Sequence, residues 1–346
     1  MLPDGGPTML SGTCVVPGTF ALVERQLPTS APPGWVLVDI GAVGICGTDF
    51  HIFEGKHPYL EYPRVIGHEL GGTVHQSTGN WEKGELVVIN PYLSCGTCRA
   101  CRRNKPNCCT SLSVLGVHRD GGMCARIAVP NGNLFKATGL SLHQSAMVEF
   151  LAIGAHAVRR SELMAGDRVL ITGAGPIGLG CALFARLAGA EVHLQDASAA
   201  RLQSAQRGFG FDDLHGVGTP ILVGKVADGF DVVFDATGNS AAIEAGFANV
   251  AHGGTYVLVS VVKGDITFTD SEFHKREMRL IGSRNAQEQD FQTVMDALRQ
   301  GRIDSDKLIS SVLPLQDLPK RFPEFAENRE NLTKVIIDLA GARGTT

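Results

Sequence analysis

Hydrophobic and polar positions divide the chain into two textures. Up to about residue 145, short apolar or alternating runs are separated by turn residues. The run 35–40 (Trp-Val-Leu-Val-Asp-Ile) alternates, and 85–89 is a short apolar run ahead of Asn90-Pro91, so both predict β-strands. Gly- and Pro-rich loops between them carry most of the His and Cys residues. From about Ser145, strand and helix patterns alternate. Strands are predicted at 168–172, 191–196, 231–235 and 254–259, with helices at 177–187, 199–206 and 241–250. Alternation of this size predicts a parallel, doubly wound sheet. A helix at 290–299 and a strand at 334–338 follow, and return to complete the first domain. The expected fold class is α/β in two domains, 1–147 with 285–346 and 148–284, without internal repeats or low-complexity segments.

Composition narrows the function classes. The chain has 346 residues, 42 of them Gly, enough for two sizeable cores with many tight turns. Its net charge of −4 leaves no basic field to neutralise phosphates, so a nucleic-acid partner is not expected. The run Arg99, Arg102, Arg103 and Lys105 reads as a solvated surface. No apolar run reaches the roughly 18 residues of a membrane span. The first basic residue is Arg25 and no apolar stretch precedes it, so a secretion signal is not expected and the location expected is cytoplasmic. In that reducing setting cysteines serve more often as metal ligands than as bridges.

The nine cysteines include one pattern with a chemical meaning. Cys95, Cys98, Cys101 and Cys109 are spaced C-x2-C-x2-C-x7-C in a lobe spanning 90–112. Four thiolates at such spacing close around a structural zinc at about 2.3 Å. Cys108 adjoins the fourth position; the x7 spacing favours Cys109, with Cys108 as the alternative.

A second pattern is Gly173-Ala-Gly175-Pro176-Ile177-Gly178, which follows a predicted strand and opens a predicted helix. In that context the glycines let the backbone approach a dinucleotide pyrophosphate at the helix N-terminus. Asp196 ends the next strand, where an acidic side chain accepts from the adenosine ribose and disfavours a 2′-phosphate, so NAD is expected rather than NADP. Arg201 either flanks the adenine or is a surface helix residue; Thr237 and Arg284 complete the cofactor-binding candidates.

Coordinating groups also concentrate at Cys46-Gly-Thr48-Asp49-Phe-His51, at Gly67-His68-Glu69 and at Glu149. A catalytic zinc needs about three protein ligands and an open position. Cys46, His68 and one or both of Glu69 and Glu149 supply such a set. Asp49 would orient a ligand or cap a loop, whereas His57 and His75 read as surface histidines.

Across almost its whole length the chain resembles the zinc-dependent medium-chain dehydrogenases, the superfamily of alcohol, sorbitol and threonine dehydrogenases. The motifs above and Asp120-Gly-Gly122 carry the resemblance. It implies a GroES-like catalytic domain with a Rossmann domain, two zinc ions per chain and a homodimer or homotetramer. It implies Cys46 and His68 as catalytic ligands and Glu69 as a carboxylate that enters or leaves the coordination sphere. Glu149 stands where polyol and threonine-type relatives carry glutamate, although they continue with Pro and this chain with Phe150. The resemblance further implies zinc acting as a Lewis acid, proton release through Thr48 and His51, and hydride transfer to the nicotinamide.

The segments 57–64 and 283–286 look most like L-gulonate, L-galactonate and L-idonate 5-dehydrogenase-like enzymes. The substrate expected is a sugar acid or polyol oxidised at a secondary hydroxyl. Sorbitol- or threonine-type and general secondary-alcohol enzymes are the alternatives in that class. A non-catalytic zinc-binding protein, or a zinc-free quinone-reductase relative, would lack groups present here. Arg284 and Asn285 are candidates for the cofactor or a substrate carboxylate, with an interdomain salt bridge as the other reading of Arg284. Phe53, Tyr59 and Phe273 are candidate pocket aromatics.

Overall fold

The computed structural model describes residues 6–57 and 60–339. The chain forms two compact units, Met1–Glu149 with Met295–Thr346, and Phe150–Val294. The sequence placed these divisions at 147/148 and 284/285. Each division instead falls inside a continuous helix, which no change of composition marks.

In the first unit β1 (Thr8–Val16) and β2 (Thr19–Gln26) form an antiparallel hairpin. Its turn contains Gly18 at φ +76°, a conformation that L side chains resist. β3 (Trp35–Ile45) runs straight into α1 (Gly47–Phe53). β4 (Arg64–Val65), β5 (Glu69–Val74), β6 (Leu86–Ile89) and β7 (Tyr92–Leu93) follow. The short α2 (Arg99–Arg102) lies between the cysteines, ahead of β8 (Ser113–Val114), β9 (Arg126–Pro130) and β10 (Leu134–Lys136). α3 (Leu142–Ser161) then leads into the second unit. The sequence pattern did not predict it, because burial on nearly every side between Ala146 and Ala152 erases the helical period.

The second unit alternates as expected. It contains β11 (Arg168–Thr172), α4 (Pro176–Leu187), β12 (Glu191–Asp196), α5 (Ala199–Phe209), β13 (Leu214–Gly216) and β14 (Phe230–Asp235). α6 (Ser240–Gly246), β15 (Val250–Leu258), α7 (Asp270–Lys275), β16 (Arg279–Gly282) and α8 (Glu288–Arg299) complete it. The strands are parallel in the order β13-β12-β11-β14-β15-β16, a doubly wound sheet whose order reverses between β11 and β14. The helix expected to reach 250 stops at Gly246. Tyr256 packs against this glycine so closely that a Cβ would meet its hydroxyl at 2.1 Å, and Val250 already pairs with Phe230 in the sheet.

β17 (Ile309–Pro314), α9 (Leu318–Glu327) and β18 (Lys334–Asp338) belong to the first unit. Its main sheet runs β10-β6-β5-β3-β18-β17, with β9 also paired to β3. Phe322 of α9 is fully buried, stacked on Phe20 at 4.8 Å and flanked by Phe50 and Phe53 of α1 at 5.4 and 5.2 Å. This cluster anchors α1, and it gives Phe53 a core role in place of the pocket role read from sequence. Phe322→Ala is expected to cost about 3–5 kcal/mol, the usual penalty for truncating a buried aromatic, measured by urea unfolding.

Candidate metal centres and dinucleotide site

Sheet register gathers the first site at one end of three adjacent strands. β3 is antiparallel to both β5 and β18; Gly44 faces Glu69 on one side and Ile45 faces Val335 on the other. Cys46 leaves the end of β3 as the N-cap of α1, and its backbone N–H donates to Asp49 Oδ2 at 2.9 Å. Gly44 is required beside Glu69, since a Cβ there would lie 2.1 Å from the carboxylate. Gly67 has φ +96°, and added Cβ atoms on Gly116 and Gly121 would meet its backbone at 2.7 and 2.3 Å. Close backbone contact therefore fixes the residue before His68.

Ligand atoms of Cys46, His68 and Glu69 lie within 4.8 Å of one another. Both Glu69 oxygens accept from Lys334 Nζ at 2.6 Å, and the ammonium also donates to the Ile45 carbonyl at 3.1 Å. Burial alone would lower the Lys334 pKa, but the Glu69 and Cys46 charges raise it. Glu149 on α3 is buried next to this set without joining that mutual group. Its Oε1 accepts from the Tyr92 hydroxyl, and its charge acts on both His68 and Lys334. Phe150 simply continues α3, so the missing proline leaves Glu149 within a helix.

Electrostatics are strained without a cation. Burial pushes Glu149 up to about 7, with Glu69 adding to the shift and His68, the Tyr92 hydrogen bond and Lys334 opposing it. Burial likewise raises Asp49. For His68 burial acts downwards, but the Asp49 and Cys46 charges prevail and hold it well above the usual histidine value. Tyr92 is raised well above its ordinary value by burial and by Glu149. His68 Nδ1, 3.7 Å from Asp49 Oδ1, has no hydrogen-bond partner; neither has that oxygen nor Glu149 Oε2. Buried polar atoms left this way are costly, and a thiol, imidazole and carboxylate set around them fits a zinc ion. Asp49 caps α1 through the Cys46 N–H, and its other oxygen lies 3.7 Å from His68 without a hydrogen bond to it.

On α1, Thr48 is half-buried and His51 is exposed. His75 pairs with Asp39 at 2.9 Å, His57 is half-buried, and Tyr59 lies outside the described residues. Lys334 and Tyr92 were not singled out from the sequence. A lysine opening a strand reads as a solvated end, and only the pairing of β18 with β3 reveals otherwise.

In the cysteine lobe, Cys95, Cys98, Cys101 and Cys109 converge within 4.8 Å, while Cys108 is exposed and outside the group. Sulfur separations of 3.4 Å for Cys95–Cys109 and 3.5 Å for Cys98–Cys101 exceed a disulfide bond of about 2.05 Å and suit thiolates sharing one ion. Backbone amides donate to the sulfurs of Cys95, Cys98 and Cys109 at 3.3–3.5 Å. Such donors bring Cys98 down to about 5 and Cys95 to about 7, whereas burial holds Cys101 up at about 11.

In the second unit the glycine loop joins β11 to α4, with Gly175 as N-cap. Gly173 has φ +94°, and a Cβ on Gly178 would fall 1.7 Å from the Gly173 carbonyl. Pro176 and Ile177 open α4. Asp196 ends β12, accepting from the Ala174 N–H and the Ser198 N–H at 2.7 Å each. Arg201 stands 3.7 Å from Asp196 and 3.9 Å from the position of a Gly175 Cβ, so it adjoins the loop. Thr237 follows β14 and donates to Asp235 at 2.8 Å. Arg284, exposed, and Asn285, at φ +54°, follow β16. All of these lie after the carboxyl ends of parallel strands, where open sheets of this kind bind nucleotides. Phe273 instead packs beside Phe268 in a small cavity of this unit.

Residues 32–139 match the alcohol dehydrogenase GroES-like domain, and residues 176–300 match the zinc-binding dehydrogenase family. The chain belongs to the zinc-binding alcohol dehydrogenase family, enzymes acting on CH–OH donors. L-galactonate-5-dehydrogenase of Escherichia coli K12 is 36% identical over 342 residues, 94% of this chain and 97% of that one. An E. coli CFT073 alcohol dehydrogenase solved with NADH superposes at TM-score 0.89 with 29% identity, covering 96% and 100% of the two chains. A Sinorhizobium meliloti zinc-binding dehydrogenase bound to NADP superposes at 0.87 with 28% identity, covering 96% and 99%.

Two outcomes are expected. Lys334→Met should cost about 3–5 kcal/mol by leaving Glu69 buried and unpaired, and adding Glu69→Gln should return much of it, as read by denaturant unfolding. The second concerns pH. Folding raises the Glu149 pKa, so in the metal-free protein its contribution favours the fold at low pH and is lost as pH rises towards about 7. Zinc takes the deprotonated ligands, so the Tm gain on loading this site should be larger at about pH 8 than at about pH 6. Calorimetry of the protein with and without metal reads the difference.

Proposed function

We propose that this protein is an NAD-dependent zinc dehydrogenase that oxidises a secondary hydroxyl of a sugar acid to a ketone. The convergence of half-buried Cys46 with buried His68 and Glu69 carries the reading, because His68 Nδ1 in the set and Glu149 Oε2 beside it are buried without a partner and call for a metal. Kinship with L-galactonate-5-dehydrogenase supports the substrate class, and Glu149, buried beside the metal-ligand set, is in keeping with it. Bound zinc supplies Lewis acidity towards the hydroxyl, and bound NAD supplies the hydride acceptor.

The chain's own residues do the rest. Cys46 and His68 hold the metal, with Glu69 and Glu149 as the available carboxylates. Thr48 Oγ1 would accept the hydroxyl proton while giving up its own towards the cofactor ribose, and His51, exposed on the same helix, would carry the released proton from there to water. Asp196 supports the choice of NAD, since its charge opposes a 2′-phosphate. Arg284 offers a guanidinium to a substrate carboxylate or to the cofactor. Cys95, Cys98, Cys101 and Cys109 hold a second, structural zinc. The same reading includes a cytoplasmic enzyme, in keeping with nine unpaired cysteines, and assembly in even copy number. β16 supports such assembly, being an edge strand with Leu280 exposed.

NADH formation by the zinc-loaded enzyme is the test, with aldonates, polyols and simple alcohols compared at matched concentrations. Aldonates are expected to be preferred; equal or better turnover of polyols would move the substrate to the sorbitol type. Cys46→Ser should abolish turnover with little unfolding, whereas Cys98→Ser should mainly lower stability. Normal turnover by Cys46→Ser would refute the catalytic metal site.

A further inference from the structure

Glu149 and Glu69 are both buried, but their oxygens are occupied differently. Lys334 engages both oxygens of Glu69. Glu149 has only Oε1 engaged, by the Tyr92 hydroxyl, and Oε2 is buried with no partner. A carboxylate held by one oxygen presents the other as a single, directed donor, which is how an outer hydrogen bond orients a metal ligand.

Tyr92 is itself held by the base of the cysteine lobe. β7 and β8 close that base, with Tyr92 opposite Val114 and Leu93 opposite Ser113. The Tyr92 N–H donates to Asn90 Oδ1 at 3.0 Å, and its carbonyl accepts from Asn133 Nδ2 at 3.0 Å. Cys95 stands three residues further along the chain. The ring is buried, so its hydroxyl is placed by packing and by the strand pair together.

We infer that Tyr92 is the positioning residue of Glu149, holding Oε1 so that Oε2 ligates the catalytic metal, and that it links the cysteine lobe to that metal. The inference rests on the reading of Glu149 as a ligand given above. It assigns the lobe a task besides local stability, that of fixing the strand from which this hydrogen bond is made. Glu69, by contrast, has both of its oxygens on Lys334.

The test uses the full-length holoenzyme and reads the metal directly. Chelator competition gives the affinity of the catalytic zinc, and cobalt(II) substitution gives the visible absorption of the ion bound through Cys46. Tyr92→Phe removes only the hydroxyl. It is expected to weaken the catalytic metal by about 10–100-fold, the usual loss for such an outer partner, and to alter the cobalt spectrum while the lobe keeps its zinc. In a Glu149→Gln background Tyr92→Phe should add nothing further, because both changes break one interaction. Tyr92→His, which keeps a ring and a donor, should retain more affinity than Tyr92→Phe. If Tyr92→Phe does not fold, Tyr92→His against Tyr92→Met makes the same comparison. Unchanged affinity and spectrum in Tyr92→Phe, with Glu149→Gln weakened, would overturn the inference alone. Unchanged affinity in Glu149→Gln as well would overturn the ligand reading beneath it.

Discussion

The first unit is organised around a buried ion pair. Glu69 opens β5 and Lys334 opens β18, and each is placed beside the end of β3 by antiparallel pairing. A carboxylate or ammonium taken out of water alone costs several kcal/mol, so neither residue is tolerable there without the other. The pair therefore ties three strands together at the point where Cys46 leaves the sheet. Replacing it with apolar residues would remove charges that act on Glu149 in the same site.

Charge explains the composition of the centre. Among the described residues, Asp49, Glu69, Glu149 and Cys46 are opposed only by Lys334 and His68, so the set is one that a bound cation completes. Each carboxylate has a separate arrangement: Asp49 caps a helix, Glu69 sits on an ammonium, and Glu149 meets a phenol. The site is built from backbone as much as from side chains. Gly44, Gly67, Gly116 and Gly121 each occupy space that a methyl group would close.

The sequence was most legible where chemistry depends on short spacing. The glycine loop, Asp196 and the four lobe cysteines could be read locally, and the structure gathers each set. Helical and strand periods likewise located β11, β12 and β18 to the residue. What depends on long-range pairing was not legible. Lys334 belongs to the centre only through β18 pairing with β3, and Tyr92 only through its approach to a helix 57 residues away. α3 was missed for a different reason: its middle, Ala146 to Ala152, is buried on every side, so periodicity, which reports a contrast between faces, had little to report there.

The separation of the central ion pair along the chain has a consequence for synthesis. Glu69 and Lys334 are 265 residues apart, and the whole of the second unit is made between them. At ribosomal speeds of about 5–20 residues per second, the carboxylate waits on the order of ten to fifty seconds for its counter-charge. During that interval the β3–β5 end of the sheet must stay wet or take up a proton, while residues 150–294 have everything needed to fold. Residues 150–294 are therefore synthesised in full before the Glu69–Lys334 pair can close.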